Sequence, residues 1–157
     1  MIVGFTGSQE DLSLIQFDLL VEVLAEFEEI TEAHHGDCIG GDLAFHLIVE
    51  DLRPDVVLHV HPPIEPAKRA FCATDVKYEL KEYIERNHDI VDACDLLIAC
   101  PKMKEVTRSG TWATVRYARK MGKPIAILWR DGKYTYENQS SSESGKTEKD
   151  EDEKAES

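Results

Sequence analysis

The chain has 157 residues and a net charge of −13 at neutral pH, from 31 acidic and 18 basic residues. This length suits one domain, which buries about two-thirds of the surface of its unfolded chain. The negative charge repels a phosphate backbone and argues against general DNA or RNA binding. The sequence contains no apolar run of about 18 residues, so we expect no membrane span.

The amino terminus and the cysteines indicate the compartment. Residues 1–5 carry no basic side chain and read directly as a strand, so we do not interpret them as a signal peptide. The four cysteines form no CxxC pair: Cys38, Cys72, Cys94 and Cys100. Cys94 and Cys100 flank or lie within an apolar segment, which predicts buried, unreactive thiols. We therefore expect a reducing, cytoplasmic location.

The first part of the chain predicts a strand, a helix and a second strand. Ile2–Phe5 is a short apolar strand that ends in a Thr-Gly-Ser turn. Apolar residues then recur every three or four positions and predict one buried helical stripe: Leu12, Ile15, Leu19, Val23, Phe27 and Ile30. The outward face of this helix is predicted to be polar: Gln16, Asp18, Glu22 and Glu26. Residues Ile30–His34 predict the second strand.

The next segment predicts another helix and another strand. The helix begins at the turn Gly40–Asp42 and ends at Pro54. Its predicted buried side is aliphatic: Leu43, Leu47, Ile48 and Leu52. The β-branched segment Val56–Val60 predicts a third strand. Three prolines then predict a rigid, non-helical loop: Pro62, Pro63 and Pro66.

The remainder of the chain predicts two further helices and two further strands. Four apolar residues mark a helix that breaks near Arg86-Asn87 and is followed by a turn over Asp89–Ala93: Val76, Leu80, Tyr83 and Ile84. A strand over Leu96–Cys100 leads into an exposed loop, residues 101–107. The last helix runs over Gly110–Met121, and a helix C-cap at Gly122 follows it. Residues 124–129 predict the final strand, and Asp131-Gly132 predicts a turn.

This alternation predicts an α/β fold, namely a Rossmann-like three-layer domain with a mainly parallel five-stranded sheet. We assign residues 1–136 to this domain. Residues 137–157 contain eight acidic and three basic residues and no aliphatic side chain larger than that of Ala155. This composition predicts a disordered acidic tail.

Polar glycine turns follow three of the predicted strands. They are Thr6–Ser8, Gly40–Asp42 and Ser109–Thr111, of which the last opens a helix. Ligands of parallel sheets bind beyond the carboxyl ends of the strands. The free N–H groups and the dipole of a helix N-terminus suit a phosphate, and Arg108 adds a cation. The sequence therefore predicts a nucleotide-like small-molecule ligand.

Several of these segments together resemble the SLOG superfamily: Gly4–Ser8, His35–Asp37, Gly40–Asp42, Arg86-Asn87, Pro101 and Ser109–Thr111. The superfamily includes the Lonely Guy phosphoribohydrolases, the molybdenum-cofactor carriers and the DNA-processing A-like proteins. The resemblance spans residues 1–129. It implies a Rossmann-like sheet that binds nucleotides or nucleotide-derived ligands, and a homodimer or larger homo-oligomer.

One motif of the Lonely Guy enzymes is altered. Their Pro-Gly-Gly-x-Gly-Thr-x-x-Glu motif carries a glutamate that takes part in cleaving the ribosyl bond. Here Gly110-Thr111 aligns with the Gly-Thr pair and places Thr114 at the glutamate position, and the preceding glycine pair is missing. A hydroxyl group cannot replace a carboxylate in that chemistry. Two functions stay open: binding or sensing of a nucleotide-like molecule, and phosphoribohydrolysis by another carboxylate, for which Asp37 and Asp42 are the candidates.

The predicted ligand-binding residues come from the strand ends and from the resemblance: Gly7, Ser8, Asp37, Gly40, Gly41, Asp42, His61, Arg86, Asn87, Pro101, Arg108, Ser109, Gly110 and Thr111. Helix capping is the alternative interpretation for Asp42, Asn87 and Ser109. Four histidines invite a metal interpretation: His34, His35, His59 and His61. Neighbouring strand ends explain their proximity without a metal, so we predict no metal and no resident cofactor. A carrier of a bound cofactor such as molybdopterin is a third, minor interpretation.

Overall fold

The computed structural model describes residues 1–139. Within them, seven strands form one sheet: β1 (Ile2–Gly7), β2 (Glu32–His35), β3 (Val57–Val60), β4 (Val76–Lys77), β5 (Leu96–Cys100), β6 (Ile125–Leu128) and β7 (Tyr134–Glu137). The same residues form four α-helices: α1 (Leu14–Glu26), α2 (Gly41–Leu52), α3 (Tyr83–Ala93) and α4 (Gly110–Lys120). A 3-10 turn occupies Pro66–Lys68. Most of the predicted acidic tail lies outside the described residues.

The strands lie in the order β4-β3-β2-β1-β5-β6-β7, and every neighbouring pair is parallel except β6 and β7. The interior strand β5 is buried on both faces because its side chains alternate between two cores. Leu96 and Ile98 pack with α1 and α2, whereas Leu97 and Ala99 pack with α3 and α4. The predicted α/β class and mainly parallel sheet are confirmed, but the sheet has seven strands rather than five.

The two strands missing from the sequence prediction lie at the edges of the sheet. β4 pairs with β3 over only two residues, and β7 forms a hairpin with β6 across the Asp131-Gly132 turn. Edge strands bury little surface, so their sequences lack the apolar runs that mark central strands. Glu137, the first residue of the predicted tail, lies in β7, where its two carboxylate oxygens accept hydrogen bonds from Arg119 at 2.8 Å each.

The helix predicted over Val76–Ile84, with a break near Arg86-Asn87, is wrong. Residues 76–82 are extended, and α3 runs without a break through Arg86 and Asn87 and through the predicted turn at 89–93. The backbone of this segment bonds to the edge of β3, where Tyr78 N–H donates to Val60 O at 3.0 Å. That pairing overrides the helical spacing of the apolar side chains.

The buried faces of α1 and α2 also differ from the predicted stripes. On α1, Ile15 is 57% exposed, whereas Gln16, predicted to face outward, is fully buried. On α2, Leu47 is exposed and Phe45 fills the core instead. Both helices offer more than one apolar stripe, so spacing alone did not select the stripe that meets the sheet.

The buried Gln16 amide donates hydrogen bonds to two main-chain carbonyls at the ends of two strands. Its Nε2 donates to Pro101 O at 3.0 Å and to Leu128 O at 2.8 Å, and so joins the ends of β5 and β6.

Gln16→Leu keeps the volume but leaves both buried carbonyls without this donor. We expect the free energy of unfolding to fall by about 1–3 kcal/mol. Urea denaturation measures this change, and the exposed neighbour substitution Phe17→Leu is the control; an equal loss in both variants would contradict the account.

The described residues also bear on the cysteines and on membranes. Cys94 and Cys100 are buried, as predicted, and burial raises the pKa of the Cys94 thiol to about 11. No helix within residues 1–139 combines the length and the apolar character needed to cross a membrane.

Candidate functional site

The strand order reverses direction between β1 and β5, because the chain passes from β1 outward to β2 on one side and later returns to β5 on the other. At the carboxyl ends of these two strands lies a cleft of about 510 Å³, within the size range of small-molecule sites. Its lining comes from the β1–α1 loop, the β5–α4 loop, the start of α4 and one residue before α2: Ser8, Gln9, Glu10, Ile39, Lys102, Met103, Val106, Arg108, Ser109, Thr111 and Trp112.

The N-terminus of α4 forms one wall of this cleft. Ser109 caps the helix through its hydroxyl oxygen, which accepts a hydrogen bond from Trp112 N–H at 3.2 Å. The first N–H groups of a helix have no acceptor within it, and the helix dipole adds partial positive charge at this end. This wall of the cleft is therefore suited to an anionic group.

Side chains of α4 hold the β5–α4 loop in place. The indole N–H of Trp112 donates to Met103 O at 3.1 Å. The Arg116 guanidinium donates to Val106 O at 3.0 Å and to Thr107 O at 3.3 Å. The loop thus presents Arg108 to the cleft from a backbone that is anchored on both sides.

Two cations and one carboxylate line the cleft. Lys102 Nζ lies 2.9 Å from Glu10 Oε2, and this hydrogen bond holds the pKa of the Glu10 carboxyl below its usual range. Arg108 is exposed and has no ion-pair partner among residues 1–139. The lining therefore carries a net positive charge in an acidic protein. Arg108 is the cation of this lining that forms no ion pair with residues 1–139.

The glycine turns of β1 and α2 pack against each other. Gly41 N–H donates to Ser8 O at 2.9 Å, and Gly40 has a φ of +88°, in the left-handed region that favours glycine. A Cβ at Gly40 would collide with the main chain of Gln9. Gly40 and Gly41 thus allow the two loops to pack closely together beside the cleft.

Arg86 lies below the cleft with its guanidinium buried. Its Nη1 donates to Gly36 O at 2.7 Å, and the same nitrogen lies 3.4 Å from His61 O and 3.6 Å from Cys38 Sγ. Its Nε donates to Asn87 Oδ1 at 2.9 Å. The side chain therefore joins α3 to the ends of β2 and β3, and its Nε and Nη1 donors are directed at protein atoms.

Asp42 shares a small pocket with Arg86. The pocket measures only about 10 Å³, the size of a single water site, and Gly7 and Asn87 also line it. The Asp42 carboxylate accepts a hydrogen bond from Cys38 N–H at 3.1 Å. Burial raises the pKa of Asp42 to about 6, although the Arg86 charge acts in the opposite direction.

Asp37 and His61 are directed away from the cleft. The Asp37 carboxylate accepts hydrogen bonds from Arg69 Nε at 3.1 Å and from Cys72 N–H at 2.9 Å, and so anchors the 66–72 segment. The His61 ring stacks on Tyr78 with centroids 4.2 Å apart. Neither side chain lines the cleft.

The structure thus brings together only part of the predicted set. Ser8, Arg108, Ser109 and Thr111 line the cleft, with Gly110 between the last two. A second group borders the small pocket beneath it: Gly7, Asp42, Arg86 and Asn87. Pro101 lies at the end of β5, where its carbonyl is bonded to the buried glutamine of α1.

Sequence reasoning missed several residues of the cleft. Gln9, Ile39 and Met103 carry no motif of their own, and they line the cleft because they lie beside predicted turns. Lys102 had a usable signal, since it is the first cation after the strand that ends at the switch in strand order.

A second cleft, of about 560 Å³, lies at the opposite end of the sheet beside the amino end of β3. Its lining contains three carboxylates: Glu50, Asp55 and Asp75. The one cation of that lining, Arg53, donates to Leu24 O at 2.6 Å and to Phe27 O at 2.7 Å. The negative charge and the position at the amino ends of the strands both disfavour a phosphorylated ligand there.

Comparisons with known proteins identify related folds. No protein-family model matches the sequence, and no curated protein matches it either. The molybdenum cofactor binding protein from the phototrophic bacterium Rippkaea orientalis aligns with a TM-score of 0.63 and 19% identity, over 82% of this chain and 76% of that one. TM1055, a structural genomics target, aligns with a TM-score of 0.58 and 18% identity, over 83% of this chain and 75% of that one.

At these identities the likeness shows the fold alone. It supports the α/β architecture that the resemblance implied, and one of the two neighbours is a cofactor-binding protein. The implied homo-oligomer and the cytoplasmic location stay predictions.

Proposed function

We propose that this protein binds or senses a phosphorylated nucleotide or nucleotide-derived small molecule in the cleft between β1 and β5. The proposal rests on one observation. A helix N-terminus and an arginine without an ion-pair partner among residues 1–139 lie in the same cleft, where the strand order switches direction. Ser109 and Thr111 supply the helix end, and Arg108 supplies the cation. Each of these features favours a phosphate, and they lie in one cleft of suitable size.

The rest of the lining suits an apolar ring. Three apolar side chains that are not fully buried line the same cleft: Ile39, Met103 and Val106. Small-molecule sites commonly combine such surface with a few polar groups that fix the orientation of the ligand. A nucleobase or pterin-like ring against these residues would place its phosphate within reach of α4.

Arg108→Ala should weaken binding of nucleoside monophosphates by about 1.5–3 kcal/mol, which is roughly ten- to a hundredfold, because a charge-assisted hydrogen bond is lost. Folding should be preserved, since Arg108 is exposed. Calorimetry with adenosine, guanosine, cytidine and uridine monophosphates measures the effect. Lys104→Ala removes the same charge from the same loop outside the lining and should leave affinity unchanged. Equal losses of affinity in both variants would show that the effect comes from the overall charge of the loop and not from a contact between Arg108 and the phosphate.

Phosphoribohydrolysis is the second candidate function, and Asp42 is the observation that favours it. Thr114, at the position of the Lonely Guy glutamate, is buried and donates its hydroxyl to Gly110 O at 2.9 Å, so it presents no carboxylate. Asp37 is held by Arg69. Asp42 has a raised pKa beside Arg86 and lines a pocket, a combination found at catalytic sites.

Chromatography of the four nucleoside monophosphates after long incubation with the protein separates the two functions. Binding without catalysis predicts no release of free base, because ribosyl cleavage needs an anion near the developing positive charge. Robust release that Asp42→Asn abolishes, and that Asp37→Asn leaves intact, would replace the binding function with the hydrolase.

A further inference from the structure

Three metal-ligating side chains lie together on one face of the sheet, apart from the cleft. Glu32 and His34 are two residues apart on β2, so they project to the same face. His59 on β3 is the register partner of His34. None of the three lines the cleft or the small pocket beneath it.

The donor atoms of this triad lie close enough together to share one ion. Glu32 Oε1 lies 3.0 Å from His34 Nε2 and 3.5 Å from His59 Nε2, and all three donor atoms fall within 4.8 Å of one another. Tetrahedral zinc with bonds of about 2.0–2.1 Å separates its donor atoms by roughly 3.3 Å. The His34 and His59 rings stack with centroids 4.3 Å apart and 15° between their planes, so an ion bound by both Nε2 atoms requires one ring to turn out of this stack.

The other nitrogen of each imidazole is held by a neighbouring side chain. His34 Nδ1 lies 2.8 Å from His61 Nε2, and His59 Nδ1 lies 2.8 Å from Tyr78 OH. Such outer hydrogen bonds orient metal-binding imidazoles and fix the nitrogen that faces the ion. Here they leave both Nε2 atoms directed at the Glu32 carboxylate.

In a second group of potential ligands, the ring nitrogens are already hydrogen-bonded: His35, His46 and Cys72. Asp37 N–H donates to His35 Nδ1 at 2.9 Å, so His35 Nε2 carries the proton and donates to His46 Nδ1 at 2.8 Å. His46 Nε2 then donates to Ala73 O at 3.1 Å. Main-chain groups occupy one nitrogen of each ring, the other two nitrogens bond to each other, and no ring lone pair is left for a metal.

The triad is accessible from solvent. The Glu32 side chain is 36% exposed and that of His59 is 12% exposed, whereas His34 forms the buried base of the cluster. An ion can therefore enter past Glu32, and water can complete its coordination.

In place of the sequence-based prediction of no metal, we propose that Glu32, His34 and His59 form a binding site for a divalent transition metal, with zinc as its ion. Two imidazoles and one carboxylate are a donor set that zinc accepts, with a fourth position left for water. Binding through Nε2 places the His34 ring proton on Nδ1, which then donates a hydrogen bond to His61 Nε2, and the His61 ring proton lies on its Nδ1.

The test uses untagged full-length protein, stripped with a chelator and titrated with zinc chloride in a calorimeter. We expect saturable binding of one zinc ion per chain. Glu32→Gln and His59→Ala should each weaken it at least tenfold, since loss of one of three protein ligands removes a coordination bond. Cobalt(II) in place of zinc should give the visible absorption bands of a nitrogen- and oxygen-ligated site, and Glu32→Gln should diminish them.

Two matched variants control for other ligands. Cys72→Ser alters the second group of potential ligands, and His88→Ala removes a histidine that stacks on Tyr117 elsewhere. Both should bind zinc as the unmutated protein does. Absence of saturable binding, unchanged affinity in Glu32→Gln, or loss of binding in Cys72→Ser would each overturn the site. Glu32→Gln keeps the size of a half-exposed side chain, so the test stands even if His59→Ala fails to fold.

Discussion

Arg86→Met should lower the free energy of unfolding by about 3–5 kcal/mol, the largest effect expected of any single substitution considered. The guanidinium is 3% exposed and donates to Gly36 O at 2.7 Å. Methionine retains most of the side-chain volume but offers no donor, so a buried carbonyl loses its partner. The buried Asp42 carboxyl also loses the cation that lowers its pKa.

Urea denaturation followed by circular dichroism measures this loss. Arg108→Met is the matched control, because it makes the same substitution at an exposed position and should change stability by less than about 0.5 kcal/mol. The two variants also separate the two proposed roles, since we expect the Arg86 substitution to affect folding and the Arg108 substitution to affect binding. Similar stability of the two variants would show that Arg86 does not hold the strand ends together.

Asp42→Asn should gain stability relative to the unmutated protein as the pH rises, by a total of about 3 kcal/mol. Burial raises the folded-state pKa of Asp42 to about 6, whereas the unfolded chain titrates near pH 4. Below about pH 4 both states are protonated and Asp42 carries no ionisation penalty. Between about pH 4 and 6 only the unfolded state loses its proton, so the folded state is progressively disfavoured; above about pH 6 the penalty is constant.

Asparagine cannot ionise, so its variant escapes this penalty and can still accept the hydrogen bond from Cys38 N–H through its amide oxygen. Urea denaturation of both proteins at several values between about pH 4 and 7 gives the difference directly. Asp95→Asn is a control at a carboxylate that also accepts a main-chain hydrogen bond, from Ile2 N–H at 2.8 Å, but at an exposed site. A difference for Asp42→Asn that is independent of pH would contradict the buried, raised-pKa carboxyl.

The elements that sequence reasoning found are those whose own residues determine them. β5 and β6 are continuous apolar runs because both of their faces are buried, and α4 has a serine cap and a glycine just past its end. The elements it missed depend on partners distant in the chain. Val76–Lys77 forms a strand because it pairs with the edge of β3. The residues around Val76 carry no pattern that predicts this pairing.

The same distinction holds for the site. Ser109 and Arg108 were predicted because a helix N-terminus can be read from a few adjacent residues. The burial of Arg86 could not be predicted, since its acceptor Gly36 lies 50 residues away on another element. The triad of Glu32, His34 and His59 depends on the register of β2 against β3, which sets His34 opposite His59 and brings Glu32 close to both.

Amide NMR of the isotopically labelled protein, titrated with the four nucleoside monophosphates and with inorganic phosphate, tests the central claim most directly. A phosphate at the start of α4 should shift the N–H resonances of residues 109–111 first, with smaller shifts in residues 101–108 and 8–10. The account predicts this pattern for at least one nucleotide, and its loss in Arg108→Ala. Shifts centred instead on residues 53–58 and 73–75, or none with any of the phosphorylated probes, would contradict a nucleotide site at the carboxyl ends of β1 and β5.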